Sequence, residues 1–95
     1  MAFGLLYHPD VAAEDLPRLD SQARARVHRA ILDRLATEPD KYGKPLRFTL
    51  KGLWSLRVGD WRVVYRVVAD EVWVLKIGHR RDEYEGAEAR VGAGE

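Results

Sequence analysis

The stretch from Leu53 to Tyr84 constrains the fold most, because apolar and cationic side chains alternate along much of it. From Trp61 onward, the odd-numbered positions supply aromatic and aliphatic residues: Trp61, Val63, Tyr65, Val67, Trp73, Leu75 and Ile77. The even-numbered positions supply cations separated by valines: Arg62, Val64, Arg66, Val68, Val72, Val74, Lys76 and Arg80. Successive side chains of a β-strand point to opposite faces of a sheet. The pattern therefore predicts one apolar face, which forms the core, and one basic face with a partly apolar floor.

Two short breaks divide this stretch into three antiparallel strands. Gly59-Asp60 lies between two apolar runs, and glycine at the first position suits a type II′ hairpin turn. Ala69-Asp70-Glu71 makes the second hairpin. The register of the first hairpin sets Arg57 directly opposite Arg62.

The N-terminal part of the chain predicts a strand followed by two helices. A short apolar run over Ala2–Tyr7 suits a strand, and Pro9 fits the first turn of a helix over Val11–Leu16. Asp20 offers an N-cap for a longer helix over Ser21–Thr37, whose apolar residues follow the i, i+3, i+4 spacing. Both helices are expected to pack on the apolar face of the sheet.

The remaining segments complete the predicted architecture. The basic connector Lys41–Lys51 has room for a short strand near Leu46–Leu50, Arg81–Arg90 suits a short polar helix, and residues 91–95 suit a frayed tail. Helices and strands that follow one another in blocks indicate an α+β domain. We predict a single domain over 1–95, with an antiparallel-dominated sheet in the order β-α-α-β-β-β, two helices on one face and a short C-terminal helix.

Charge is distributed unevenly, although the formal net charge is only +1. Lys41–Arg81 contains ten Lys or Arg and three acids, and this local charge of +7 favours a polyanionic target. The chain has no cysteine and only three scattered histidines, so no metal site and no cofactor are predicted. No apolar run is long enough to span a membrane and the N-terminus does not resemble a signal peptide, so we expect a cytoplasmic protein.

Five cations are predicted to share the basic face, without an acid of matching parity in the three strands: Arg57, Arg62, Arg66, Lys76 and Arg80. Guanidinium groups bind phosphate through paired hydrogen bonds and stabilise the charge that develops on a phosphate under attack. Two nearby groups could transfer protons, His79 and Tyr84. His79 has the parity of the core side unless the strand has already ended, and Tyr84 is equally suited to anchor the last helix.

The segments GLWSLRVGDWRVVYRV (52–67) and VWVLKIGHRRDEY (72–84) resemble the RelE/ParE toxin superfamily, most closely the RelE-type mRNA interferases of type II toxin–antitoxin systems. The resemblance implies metal-free cleavage of mRNA in the ribosome by attack of a 2′-OH on the adjacent phosphate. It also implies a RelB-like antitoxin partner. Arg57, Arg62 and Arg80 match family arginines, and Tyr84 matches the family tyrosine approximately.

From the residues and the resemblance together, we predict that Arg62, Arg80, Tyr84 and His79 are catalytic and that Lys51, Arg57, Arg66, Lys76 and Arg81 bind RNA. One departure stands out, because Leu53 and Ser55 occupy positions where the family has two lysines. Lys51 is the nearest replacement. Two alternatives therefore stay open: a ParE-like inhibitor of DNA gyrase, and an inactive protein that only binds its antitoxin.

Overall fold

A five-stranded sheet forms the centre of the protein. The computed structural model describes residues 3–82, 86, 87, 89 and 90. The strands are β1 (Gly4–Tyr7), β2 (Lys44–Pro45), β3 (Trp54–Val58), β4 (Trp61–Val68) and β5 (Glu71–His79). Their spatial order is β1-β5-β4-β3-β2, with β1 parallel to β5 and every other neighbouring pair antiparallel. The predicted antiparallel-dominated sheet is confirmed.

The helical segments that cover the sheet lie between β1 and β2, as predicted. They are a π-helical turn Val11–Asp15, a 3₁₀ turn Leu16–Arg18, α1 (Ser21–Ala30), its π-helical continuation Ile31–Leu35, and α2 (Pro39–Tyr42). The backbone N–H of Ala23 donates to Oδ1 of Asp20 at 2.7 Å, which confirms the N-cap of α1. None of the helices in the described residues has the length and apolar character that a bilayer crossing requires.

The main core lies between these helices and one face of the sheet. Its buried side chains come from the helical segments and the bend between them (Val11, Leu19, Val27, Ala30, Ile31, Leu35) and from the strands (Leu56, Val58, Val63, Tyr65, Val72, Val74, Ile77). Complete burial of one such aliphatic side chain contributes about 1.5–3 kcal/mol. Their packing confirms the α+β fold with the predicted helices on one face.

A β-bulge in β5 changes which side chains face this core. Val64 pairs with Lys76, but Tyr65 pairs with Val74, so Leu75 is an extra residue with no partner in β4. Residues 71–74, which precede the bulge, therefore point to the faces opposite to those that unbroken alternation along β5 would give them. The prediction was wrong here, because Val72 and Val74 lie in the main core whereas Trp73 and Leu75 lie on the opposite face with Val64.

Two other predicted segments differ from the structure. The short connector strand is Lys44–Pro45, while Phe48–Leu50 forms a 3₁₀ turn in which Phe48 has a φ of 58° that no strand accepts. The second hairpin turn contains only Ala69-Asp70, because Glu71 already pairs with Val68.

The predicted C-terminal helix begins later than expected. Residues 80–82 form turns, and the backbone N–H of Asp82 donates to the carbonyl oxygen of His79 at 2.9 Å. Ala87, Ala89 and Arg90 are helical. Residues 83–85, 88 and the predicted tail 91–95 lie outside the described residues.

Candidate nucleic-acid interface

Arg57 and Arg62 lie directly opposite each other on the sheet face away from the helices. The turn between them is Gly59-Asp60, in which Gly59 has a φ of 61°, and this confirms the predicted register. Nη1 of Arg62 donates to the carbonyl oxygens of Gly59 and Trp61, each at 3.0 Å. These bonds hold the guanidinium over the turn. Like charges in opposed positions destabilise a sheet, so an anion between them would relieve the repulsion.

Arg80 joins this pair from the end of β5. Its backbone N–H donates to the carbonyl oxygen of Asp60 at 2.7 Å, and its Nε lies 3.5 Å from Oδ1 of Asp60. Because Gly78 pairs with Arg62, Arg80 continues along the same edge of the hairpin. Both members of the Arg80–Asp60 pair are more than half exposed. Arg57, Arg62 and Arg80 therefore gather around one hairpin turn, and we call them the arginine cluster.

Three further cations predicted to bind RNA occupy different positions. Arg66 pairs with Trp73 farther along the cationic face, and Lys51 is exposed beyond the opposite end of β3 from Arg57. Lys76 is on the predicted face but only 8% exposed, and a Cβ added to Gly86 would lie 3.6 Å from its Nζ. The predicted RNA contact by Lys76 is therefore wrong, because the C-terminal segment at Gly86 packs over this side chain.

The bulge also brings an acid to this face. Glu71 pairs with Val68, so it shares the face of Arg66 at the far end of the sheet from the arginine cluster. The predicted absence of acids from the cationic face was therefore wrong.

His79 lies on the opposite side of the sheet from the arginine cluster. It pairs with Trp61, and the two rings meet edge to face with centroids 5.3 Å apart on the helix side of the sheet. Nδ1 of His79 accepts from the backbone N–H of Arg81 at 3.2 Å. The structure thus separates His79 from Arg62, as strand alternation requires, while Tyr84 lies outside the described residues. Arg81 is exposed beside His79, on the same side of the sheet.

A small second core forms the floor of the cationic face. Leu53, Val64, Leu75 and Ala87 are buried together there, and Leu46, Leu50 and Trp73 pack at its margin. Ser55 is also buried on this face, and its Oγ has no hydrogen-bond partner in the described part of the chain. The floor is therefore covered in part by the protein's own connector and C-terminal segment, which sequence reasoning missed.

Arg90 is the second feature that sequence reasoning missed. Its Nη1 and Nη2 donate to the carboxylate of Asp15 at 2.6 and 3.1 Å, and Nη1 also donates to the carbonyl oxygen of Leu75 at 3.0 Å. Burial would lower the pKa of Arg90, but the hydrogen bond to Asp15 and the negative charges of Asp15, Asp10 and Glu14 raise it. The available signal was Asp15 itself, four residues after Val11 and so on the buried face of a helix.

The charged side chains do not form a metal centre in the described residues, which contain no group of three or more His, Asp or Glu suited to hold an ion. The arginine cluster contributes three guanidinium groups to the cationic face. They can bind phosphate and stabilise negative charge without supplying a proton acceptor.

Comparisons with known proteins place these features in a family. The family model described as "ParE toxin of type II toxin-antitoxin system, parDE" matches residues 7–84. Toxin RelG of Mycobacterium tuberculosis is 37% identical over 75 residues, which are 77% of this chain and 86% of that protein. Toxin RelE of the same organism is 45% identical over 56 residues, 59% of this chain and 58% of that protein.

Solved structures share the fold. A chain of the toxin–antitoxin complex RelBE2 from M. tuberculosis superposes with a TM-score of 0.76 at 32% identity, covering 86% of this chain and 95% of that one. A mutant of E. coli toxin RelE in the free state has a TM-score of 0.62 at 21% identity, covering 98% of this chain and 97% of that one. At that identity the second comparison supports the fold alone.

Proposed function

This chain belongs to the ParE toxin family of type II toxin–antitoxin systems, and we propose that it is a toxin that cleaves mRNA on the ribosome. The observation that carries the proposal is the arginine cluster, in which Arg57, Arg62 and Arg80 gather around one exposed hairpin turn. Guanidinium groups in this arrangement fit a phosphodiester, because each can offer two parallel hydrogen bonds to phosphate oxygens. The similarity to toxins RelG and RelE favours RNA as the source of that phosphate.

The proposed reaction is an internal transfer within the RNA. The 2′-oxygen forms a bond to the adjacent phosphorus, the bond from phosphorus to the 5′-oxygen breaks, and the products carry a 2′,3′-cyclic phosphate and a 5′-OH. Arg62 and Arg80 would neutralise the charge that builds up on the phosphate oxygens in the transition state. Electrostatic stabilisation of this kind makes the largest contribution to the rate enhancement of many enzymes. Arg57 would hold the neighbouring backbone, with Lys51 and Arg66 extending the positive surface.

The cleavage reaction also needs two proton transfers, and this chain offers few side chains that could carry them out. The 2′-OH must lose a proton and the departing 5′-oxygen must gain one, and we propose Tyr84 as the group that supplies the second. His79 takes no part in this step, because it faces the helices. The floor of the cationic face has Leu53 and Ser55, both buried, where the family has lysines. In this proposal, a solvent or ribosomal group therefore accepts the proton of the 2′-OH.

We further propose that an antitoxin covers the cationic face. The RelBE2 complex is a toxin–antitoxin pair, and its toxin-like chain shares this fold. The excess of cations in Lys41–Arg81, a formal charge of +7 over the whole stretch, suits an acidic partner segment. Because the proposed target is the translating ribosome, the site of action is the cytoplasm.

Primer extension on an mRNA translated in a purified system tests the nuclease proposal. Wild-type protein should give cuts within codons in the ribosomal A site, and Arg62→Ala combined with Arg80→Ala should remove them. Arg34→Ala is the matched control, because it deletes an exposed helical arginine outside the cationic face. Cutting that survives the double substitution would rule out the arginine cluster as the reaction site.

A second candidate is inhibition of DNA gyrase. It is favoured by the family model, which describes ParE toxins, and by the absence of lysines at Leu53 and Ser55. A supercoiling assay with the purified protein separates this candidate from the nuclease. Slowed growth with neither activity would exclude both, and a protein that leaves growth unchanged would be an inactive antitoxin-binding form.

A further inference from the structure

A second basic site lies on the helix side of the same hairpin. It is an open groove of about 330 Å³. Its walls are formed by Arg18, Trp61, His79, Arg81 and Asp82. The proposed reaction uses neither Trp61 nor His79, so this groove has no role in the function described above.

Strand alternation places the groove and the arginine cluster on opposite sides of one edge. Trp61 pairs with His79 on the helix side, whereas Arg62 pairs with Gly78 on the cationic side. Arg80 and Arg81 are adjacent in sequence, but Arg80 contacts Asp60 whereas Arg81 lines the groove. The groove and the arginine cluster therefore share one edge of the sheet, where Arg80 and Arg81 are consecutive residues.

The walls of the groove are held in place by local contacts. Nη2 of Arg18 lies 2.9 Å from Oδ2 of Asp82, which ties the 3₁₀ turn Leu16–Arg18 to the turn that follows β5. Nδ1 of His79 accepts from the backbone N–H of Arg81, so in the neutral ring the proton is on Nε2, which can then act as a donor. The Trp61 ring is only partly buried.

We propose that this groove binds the nucleotide that flanks the scissile phosphate, with its base against Trp61 and His79 and its phosphate on Arg81 and Arg18. The inference rests on the proposed function for the identity of the polymer. Single-stranded RNA is bound by stacking of bases on aromatic and guanidinium surfaces combined with cations along the backbone. The groove supplies both, and it is continuous with the arginine cluster through Arg80 and Arg81.

An acidic peptide is a poorer match to the same walls. It would pair with Arg18 and Arg81, where Asp82 opposes a carboxylate and a phosphate alike, but it would leave the rings of Trp61 and His79 without a stacking partner. A nucleotide adds a stacking contact that a carboxylate lacks. The volume also lies at the small end of the range of ligand pockets, about 300–1,000 Å³, which is suitable for one nucleotide and not for a longer segment.

Tryptophan fluorescence tests the proposal directly in the full chain. Trp54→Phe with Trp73→Phe leaves Trp61 as the one remaining tryptophan of three. Titration with a short 2′-O-methyl RNA oligonucleotide, which cannot be cleaved, should quench Trp61 emission in a saturable way. Arg81→Ala should weaken this binding by roughly tenfold or more, the loss typical of a charged hydrogen bond. Arg34→Ala should leave it unchanged.

A second measurement keeps the test valid if the tryptophan replacements unfold the protein. In the otherwise unaltered chain, the imidazole proton resonances of His79 should shift as the same oligonucleotide is added. If neither Trp61 emission nor the His79 resonances change at concentrations that saturate Arg62-dependent binding, the proposal is overturned. A response to polyglutamate without a response to the oligonucleotide would also overturn it, in favour of an acidic peptide.

The proposed function and this inference can fail separately. A protein that does not cut mRNA but shows Arg81-dependent quenching of Trp61 would retain the groove as an RNA site without the nuclease assignment. A protein that cuts mRNA while Trp61 and His79 do not respond to RNA would retain the nuclease assignment and exclude the groove.

Discussion

Nη1 of Arg90 lies 2.6 Å from Oδ2 of Asp15, and both residues are buried against the edge of β5. At this point β1 has ended, since its last paired residue is Tyr7 opposite Val74. The N–H of Ile77 donates to Asp15 at 2.8 Å, and the carbonyl oxygen of Leu75 accepts from Arg90 at 3.0 Å. The ion pair thus satisfies backbone groups that a longer β1 would otherwise have paired, and it fastens the C-terminal segment beside the bulge.

Removing one member of this pair should destabilise the protein strongly. Arg90→Met leaves a buried carboxylate and an unpaired carbonyl, so we expect a loss of about 3–5 kcal/mol in the free energy of unfolding. Urea denaturation measures it. Arg18→Ala is the comparison, because it breaks an ion pair with Asp82 that is only partly buried, and ion pairs in contact with solvent contribute about 1 kcal/mol or less. Equal losses in the two variants would contradict a structural role for Arg90.

The bulge at Leu75 predicts a difference between two valines that have the same parity in the sequence. Val74 is fully buried in the main core, whereas Val68 is 42% exposed. Val74→Ala should lower the free energy of unfolding by about 2 kcal/mol through lost burial and the cavity left behind. Val68→Ala should change it by less than about 0.5 kcal/mol. Similar values for the two variants, measured by urea denaturation, would contradict the burial of Val74 in the main core.

These valines also show which features of the fold could not be predicted from the sequence. Alternation gave the strands, the turn at Gly59-Asp60 and the opposition of Arg57 to Arg62, because each depends on neighbouring residues. Alternation did not reveal the bulge, because the residues on both faces of β5 before it are apolar. Val72 and Val74 are therefore as compatible with the core as Trp73 and Leu75. The Arg90–Asp15 pair was equally inaccessible, since its members are 75 positions apart in the sequence.

The candidate site likewise contains some features that were predictable from local sequence and others that were not. The arginine cluster was predictable. Its members were predicted from local register and from resemblance, and the structure brings them together. The burial of Lys76 and the groove beside Trp61 depend on where the first helical segment and the C-terminal segment pack. Such packing between distant segments is not encoded in any one stretch of residues.

The second hairpin contains a strained residue whose replacement should stabilise the fold. Ala69 has a φ of 56° at the first position of its turn, where a type II′ hairpin prefers glycine. The left-handed conformation costs an L-residue about 1–2 kcal/mol, and part of that is offset by the greater entropy that glycine loses on folding. We expect Ala69→Gly to raise the free energy of unfolding by about 0.5–1 kcal/mol. Thermal unfolding measures this gain, and Ala12→Gly, in a helical turn, should instead lower stability.

Tyr65 predicts a loss of stability in alkaline solution. Its buried hydroxyl donates to the carbonyl oxygen of Pro39, and burial, followed by the negative charge of Asp40, raises its pKa above the ordinary 10.0. The folded state favours the protonated form, so this stabilisation is complete below pH 10.0 and is lost as the pH rises above it. Tyr65→Phe should cost about 1–2 kcal/mol at neutral pH, with the difference from wild type shrinking above pH 10.0. Chemical denaturation across this range tests it, and a constant difference would contradict it.

The Asp60 carboxylate should restrain RNA binding by the arginine cluster. It lies 3.5 Å from Nε of Arg80, and both side chains are largely exposed, so the pair adds little to stability. Asp60→Asn keeps the backbone bond from Arg80 and suits the turn, but it removes a negative charge beside the proposed phosphate position. Removal of about 1 kcal/mol of repulsion should raise affinity for a non-cleavable RNA oligonucleotide roughly fivefold.

Asp70→Asn is the matched control, because Asp70 occupies the same position in the other hairpin turn, at the opposite end of β4. Both substitutions change the net charge by the same amount, and only Asp60 is next to the arginine cluster. Fluorescence anisotropy with a labelled oligonucleotide should show the gain for Asp60→Asn alone. The gain should vanish near 1 M salt, where screening acts over about 3 Å. An equal gain from Asp70→Asn would mean that overall charge, and not the position of Asp60 beside Arg80, governs RNA affinity.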